Sequence, residues 1–324
     1  MAELSEFERL DRAIEALVAR RDSQPRATEP DIAPLVEIAA ALVQLPRKEF
    51  RARLKTELEA KAKMATKTVN PIREGFRTLT PYLTVREAPE LVEFVKKAFG
   101  AQEVMRSTGS AGGMHAEVRI GDSMVMIGGG GEWRGTPMPA SIWLYVEDAD
   151  AVYESALRAG AKSMSPPVDQ PYGDREAGVT DLSGNHWYIS THKGASHVRP
   201  GMNTVNLYLH PAGAGKLIEF LERGFGAEVI ERHADPQGML VHANLRIGDS
   251  QMGMSESRPD YPNMPTMIYM YVPDVDAVYA RAIAAGGESL FPPADQPYGD
   301  RNAGVRDAAG NQWYISTHIR DMAL

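Results

Sequence analysis

Apolar positions recur in two different rhythms along this chain. Up to residue 65 the steps are three and four: Leu4, Phe7, Leu10, Ile14, Leu17 and Val18 make one stripe, which predicts an amphipathic helix over Leu4–Arg20. A second helix is expected from Asp31, a residue suited to capping, to Leu45, and a third from Pro46, suited to a first turn, to Lys63. Helices this amphipathic need an apolar partner surface, so residues 1–65 read as a packing or oligomerisation arm whose helices meet one another, the repeats, or a second copy of the chain in a homodimer. Residues 66–75 show neither rhythm and read as a linker.

Beyond residue 75 the step of two takes over, interrupted by single helices. Strands are expected at Thr78–Val85, Glu103–Ser107, Met114–Ile120 and Ser123–Ile127, with a helix at Pro89–Phe99 on the Leu91, Val92 and Val95 stripe. After the glycine-rich Gly128–Gly131 connector, which has the freedom to act as a lid, the order restarts. A strand at Ser141–Val146 precedes a helix at Asp148–Ala159 and strands at Lys162–Ser165, Ala177–Asp181 and His186–Thr191. The whole pattern then occurs again. Gln170–His192 returns as Gln296–His318 with changes only at Glu176/Asn302, Thr180/Arg306, Leu182/Ala308, Ser183/Ala309 and His186/Gln312. Ile120-Gly121-Asp122-Ser123 returns as Ile247-Gly248-Asp249-Ser250, and Phe99-Gly100-Ala101 as Phe225-Gly226-Ala227. A duplicated domain at 76–193 and 200–320 follows, of α+β class. Each copy is expected to be a pair of βαβββ units whose helices cover one sheet face and leave a cleft on the other.

Composition narrows the chemistry. The absence of cysteine excludes disulfides, thiolate metal sites and a cysteine nucleophile. A net charge of −8 argues against a general nucleic-acid partner. No apolar run reaches membrane-spanning length, and the acidic, amphipathic start does not read as a secretory signal, so a cytoplasmic protein with no membrane partner is expected.

The doubled βαβββ order, the HAEVRIGDS and HANLRIGDS strands and the D-x-x-GN-x-W endings resemble the vicinal oxygen chelate superfamily. It comprises the glyoxalases, bleomycin and fosfomycin resistance proteins and extradiol dioxygenases, with the PhnB-like branch nearest. Metal-dependent members place His, Gln or Glu on the first and last strand of each unit. The matching positions here are Thr80, Ile127, Ser141 and Tyr188, then Asn206, Met254, Met267 and Tyr314, with Glu256 the one carboxylate nearby. The resemblance therefore implies the fold without its metal set, and no cofactor is expected.

Alternation gives what fills the clefts instead. On Met114–Ile120 the apolar face must meet the helices, which turns His115, Glu117 and Arg119 inward, with His242, Asn244 and Arg246 in the copy. The same test selects Tyr82, Trp143, Tyr145, Tyr188 and His192, and then Tyr208, Tyr269, Tyr271, Tyr314 and His318. The repeated turn adds Tyr172 and Arg175, and Tyr298 and Arg301, as anchors at the mouths. Such linings suit a flat, partly aromatic small molecule held by stacking, and equally suit a filled core. His115 with Glu117, or His242, are candidate acid/base groups. Two functions stay open: a metal-free binding protein, and an enzyme, either a metal-dependent lyase of the glyoxalase type with ligands such as His115, His192, His242 and His318 or a metal-free acid/base catalyst.

Overall fold

The computed structural model describes residues 69–109 and 112–322, with Arg12 by itself. The three expected N-terminal helices and their dimer arm lie outside the described residues. In chain order the elements are β1 (Leu79–Val85), α1 (Ala88–Phe99), β2 (Gln102–Thr108), β3 (Met114–Ile120) and β4 (Ser123–Gly129), then β5 (Ser141–Tyr145), α2 (Ala149–Arg158), β6 (Lys162–Asp169), β7 (Asp174–Thr180) and β8 (His186–His192). The copy gives β9 (Val205–Leu209), α3 (Ala214–Phe225), β10 (Glu228–Ala234), β11 (Leu240–Ile247) and β12 (Ser250–Met254), then β13 (Met267–Tyr271), α4 (Val275–Ala284), β14 (Glu288–Asp295), β15 (Asp300–Arg306) and β16 (Gln312–His318). These are the four βαβββ units the hydrophobic rhythm predicts.

The helices form where their signals lie. Leu91, Val92, Val95 and Ala98 of α1 are buried on one face, each large side chain adding roughly 1.5–3 kcal/mol by leaving water. The chain leaves α1 through Gly100 in the left-handed region at φ 67°, and α3 through Gly226 at φ 70°. Asp148 and Asp274 cap α2 and α4 by accepting hydrogen bonds from the Ala151 and Ala277 backbone amides.

The assembly of the units departs from the expectation. The expected pairing within each repeat does not occur. One eight-stranded sheet runs β14-β15-β16-β13-β1-β4-β3-β2, joining the first unit to the fourth, and the other runs β10-β11-β12-β9-β5-β8-β7-β6, joining the second to the third. The seams are antiparallel, β1 on β13 and β5 on β9. The reason is local and repeated. Ser250 Oγ accepts the Leu79 amide and Asp249 accepts the Thr78 amide at 2.8 Å, while Ser123 Oγ accepts the Val205 amide and Asp122 the Thr204 amide at 2.9 Å. The repeated Gly-Asp-Ser turn of one copy thus clasps the first strand of the other. Within a repeat the units meet through helices instead. Phe99 of α1 packs on Trp187 of β8 with ring centroids 4.5 Å apart, and Phe225 of α3 on Trp313 of β16 at 4.8 Å.

Both tryptophans belong to the D-x-x-GN-x-W ending, which is framework. Asp181 accepts hydrogen bonds from the Trp187 indole, the Asn185 side chain and the Ser183 and Asn185 amides, and Asp307 does the same with Trp313, Asn311 and Ala309. Each Asn then accepts the amide that leads into the next strand, Ala140 or Thr266.

Candidate functional site

Each sheet curls around a cleft on the face away from its helices. In the β5–β12 sheet that cleft holds a cavity of about 430 Å³. Its floor is aromatic. Trp143 on β5, Tyr188 on β8 and Tyr208 on β9 meet edge to face, with Tyr208 5.7 Å from Trp143 and 5.6 Å from Tyr188. Tyr261, on the loop after β12, lies nearly parallel to His210 at 5.2 Å.

Polar tips are tied in pairs around this floor. Tyr188 Oη shares a hydrogen with His210 Nε2 at 2.8 Å, and His210 Nδ1 with Ser255 Oγ at 2.9 Å. Burial lowers the His210 pKa to about 4, so the ring is neutral near pH 7. Tyr208 Oη meets His242 Nδ1 at 3.0 Å, and His242 Nε2 faces Glu231 at 3.2 Å. Burial also lowers the His242 pKa. Burial raises the Tyr208 phenol to about 12 and pushes Tyr188 and Tyr172 well up, so all three keep their protons.

Two carboxylates face the cavity. Glu176 on β7 accepts from Ser190 Oγ at 2.8 Å and Tyr172 Oη at 3.1 Å, and its pKa is raised because burial outweighs those hydrogen bonds. Glu231 on β10 accepts from Asn244 Nδ2 at 2.7 Å. Arg199, from the link between β8 and β9, passes over Trp143 at 5.6 Å and pairs with fully buried Asp174 at 3.2 Å.

The other sheet has the same skeleton, and among the described residues its cleft is packed with side chains. Phe76, Met124 and Met126 pack with Tyr269 and Tyr271, and Ile72, Tyr82 and Tyr314 close the cluster. Arg73 hydrogen-bonds Glu117, which lies 3.4 Å from His115, while His115 Nδ1 meets Tyr82 Oη at 2.9 Å. Burial opposes ionisation of Glu117, yet the hydrogen bonds from His115 and Arg73 and the Arg73 charge hold its carboxyl below the usual range.

The expected site residues divide accordingly. Trp143, Tyr172, Tyr188, Tyr208 and His242 line the cavity. Tyr145 and His192 lie beneath it on Asp174, and Tyr269, Tyr271 and His318 meet Asp300 in the same way. Tyr82, His115, Glu117 and Tyr314 belong to the filled cleft, with Tyr298 half exposed at its rim. The arginines need correction. Arg175 and Arg301 turn to the helix side, where Asp150 and Asp169, and Asp276 and Asp295, hold them. Arg119 and Arg246 reach Gln102 and Glu228 at the exposed strand ends, outside the cavity lining. Glu256 is also spoken for: it accepts the Gly213 and Ala214 amides at the start of α3.

Sequence reasoning missed Glu176, Arg199, His210, Glu231 and Tyr261. Glu176 left a signal, being one of the few differences within the repeated stretch. His210 lies two residues past Tyr208 and faces the same way, so alternation extended by one step reaches it.

Of the positions that the resemblance assigns to a divalent metal, Ser141, Tyr188 and Asn206 stand on the face of one cleft and Thr80, Met267 and Tyr314 on that of the other, whereas Met254 and Ile127 turn into the helix-side core. Tyr188 is engaged by His210, and Asn206 donates to the Asn203 carbonyl at 2.7 Å. Hydroxyl, thioether and alkyl groups do not fit a first-row ion. Among the described residues no three His, Cys, Asp or Glu side chains are grouped to hold one, and the four candidate histidines are engaged with Tyr or Asp partners. Among the same residues no helix is long and apolar enough to cross a membrane.

Comparison with known proteins matches this architecture. Over 122 residues the chain is 38% identical to uncharacterized protein Rv0887c of Mycobacterium tuberculosis, a match covering 34% of this chain and 72% of that one. Over 182 residues it is 30% identical to CFP32 of Mycobacterium bovis, provisionally named a glyoxylase, covering 54% of this chain and 68% of that one. Crystalline glyoxalase I from Zea mays superposes with a TM-score of 0.58 at 15% identity, over 74% of this chain and 92% of its own, a likeness of fold. The sequence profile of the glyoxalase/bleomycin resistance protein/dioxygenase superfamily matches residues 76–189 and 212–315, well over half the chain, and the protein belongs to that superfamily.

Proposed function

We propose that the protein binds a small, flat, partly aromatic molecule in the cleft between β5–β8 and β9–β12, without a metal ion. The observation that carries this is the cavity of about 430 Å³ floored by Trp143, Tyr188 and Tyr208, the size range and lining of a small-molecule site. Its polar tips are held by neighbouring side chains, so a ligand meets a preformed surface and loses little affinity to ordering it. The donor set argues for binding by stacking and edge hydrogen bonds over chelation.

A panel of bicyclic aromatics tests this by Trp fluorescence and melting temperature. Bound compounds are expected to quench the wild type and raise its Tm, and in Trp143→Phe to raise Tm with the quenching largely lost. The likeness to CFP32, with its glyoxylase name, supports a second reading as a metal-dependent lyase. Stoichiometric uptake of Zn, Ni, Mn or Fe, lost in His242→Ala or His115→Ala, together with no aromatic binding, overturns the first reading in favour of the second.

A further inference from the structure

We infer that the molecule taken by the open cleft is a planar aromatic cation, its ring on Trp143, Tyr188 and Tyr208 and its positive nitrogen directed to Glu176 and Glu231. This rests on the aromatic-binding reading and specifies its ligand class. The first observation is where the acids stand. Glu176 pairs across β7 and β8 with Ser190, and the matching place in the filled cleft, opposite Ser316, is Asn302. Glu231 stands opposite Asn244, and the matching residue opposite Glu117 is Met105. Both carboxylates are thus present where the cleft is open and absent where it is filled.

The second observation is the balance of charge. Arg199 is committed to buried Asp174 and approaches Glu231 only to 4.0 Å. The cavity lining carries two arginines, Arg199 and Arg258, and two carboxylates, Glu176 and Glu231, with a third, Asp174, under Arg199 and with His233 at the rim. Burial lowers the pKa of His210 and of His242, which favours their neutral forms. Among the described residues these arginines and carboxylates by themselves leave one negative charge over. Among the described residues Glu176 receives only neutral hydroxyl donors, Tyr172 and Ser190. A buried carboxylate so placed is costly when ionised, and a ligand cation supplies the missing charge. The aromatic faces beside it attract the same ligand through their quadrupoles.

Titration of the full-length protein with 1-methylquinolinium, quinoline and naphthalene-2-carboxylate at pH 8, by calorimetry, tests the inference. The cation is expected to bind roughly tenfold more tightly than the other two, and Glu176→Gln and Glu231→Gln each to remove most of that preference while leaving quinoline within about twofold. Affinity for the cation should also rise with pH through the acid range in the wild type and more weakly in Glu176→Gln. Glu176 is faced by Asp174, Arg199 and the tyrosines 145, 172, 188 and 208 and shares the cavity with Glu231, His210 and His242. The arginine and these phenols do not titrate there, and the residual pH dependence in Glu176→Gln belongs to the other groups, His210 at about 4 among them. Equal or tighter binding of the carboxylate, or an intact cation preference in Glu176→Gln, overturns the inference and leaves aromatic binding standing. Failure of all three compounds to bind overturns the aromatic-binding reading as well.

Discussion

The two clefts are near copies in sequence and opposites in content. Beside Tyr82 on β4 stands Met126, and beside Tyr208 on β12 stands Gly253. Met126 is 3% exposed and packs into its cleft with Met124 and Phe76, which is 8% exposed. In the other cleft Gln251 and Met202 occupy the places of Met124 and Phe76. A Cβ on Gly253 would come within 2.6 Å of the Tyr208 ring and one on Gly128 within 2.8 Å of the Tyr82 ring, so both rings lie against bare backbone. What differs is that Met126 fills the space beside Tyr82, where Gly253 puts no side chain beside Tyr208. The ionic contents moved along with the volume. The filled cleft keeps its acid, Glu117, under Arg73, whereas the open one replaces it with Asn244 and carries Glu231 and Glu176 on its walls. One cleft of the duplicated pair is thus packed as core and the other carries a lining.

The comparison can be broken at its shared framework first. Asp181→Ala and Asp307→Ala should each destabilise the protein by about 3–5 kcal/mol in denaturant titrations, because a buried indole, an amide side chain and backbone amides lose their acceptor. A large difference between the two variants contradicts equal framing of the clefts. Gly253→Met, which gives the open cleft the side chain of the filled one, should weaken aromatic ligands roughly a hundredfold by displacing the Tyr208 ring, at a stability loss of about 1–3 kcal/mol.

Smaller effects sharpen the electrostatic half of the contrast. Arg73→Ala should destabilise by about 2 kcal/mol at neutral pH by leaving Glu117 buried without its cation. Glu117 has a lowered pKa in the folded state, so its contribution is present above the ordinary carboxylate range and is lost as pH falls through the lowered value. The wild type and Arg73→Ala should therefore converge in acid. Glu176 has the opposite sign. Its raised pKa destabilises the ligand-free fold at neutral pH and ceases to do so once pH falls below the ordinary carboxylate range. Glu176→Gln should be more stable than wild type by about 1 kcal/mol at pH 7 and level with it in acid.

Much of the fold is legible in the sequence because it rests on local pattern. The step of two, the helix stripes and the capping Asp148 and Asp274 each act within a few residues. The partner of each unit is not legible that way: the Ser123 and Ser250 clasps join residues far apart in the chain, and a duplicated sequence offers both partners the same surface. Alternation found the cavity floor, since Tyr188 and Tyr208 point inward by periodicity alone. It misjudged Arg175 and Arg301, whose long side chains follow the aspartates of α2 and α4. It also gave both clefts one character, because their contents differ through side-chain volume at a few places, Met126 against Gly253, Met124 against Gln251 and Phe76 against Met202, which periodicity does not weigh.

Ligand stoichiometry tests the central contrast most directly. Native mass spectrometry and calorimetry with a bicyclic aromatic that binds should give one equivalent per chain in the wild type and in His115→Ala, and none in Gly253→Met at the same concentrations. Two equivalents per chain, or one that survives Gly253→Met, would contradict the account.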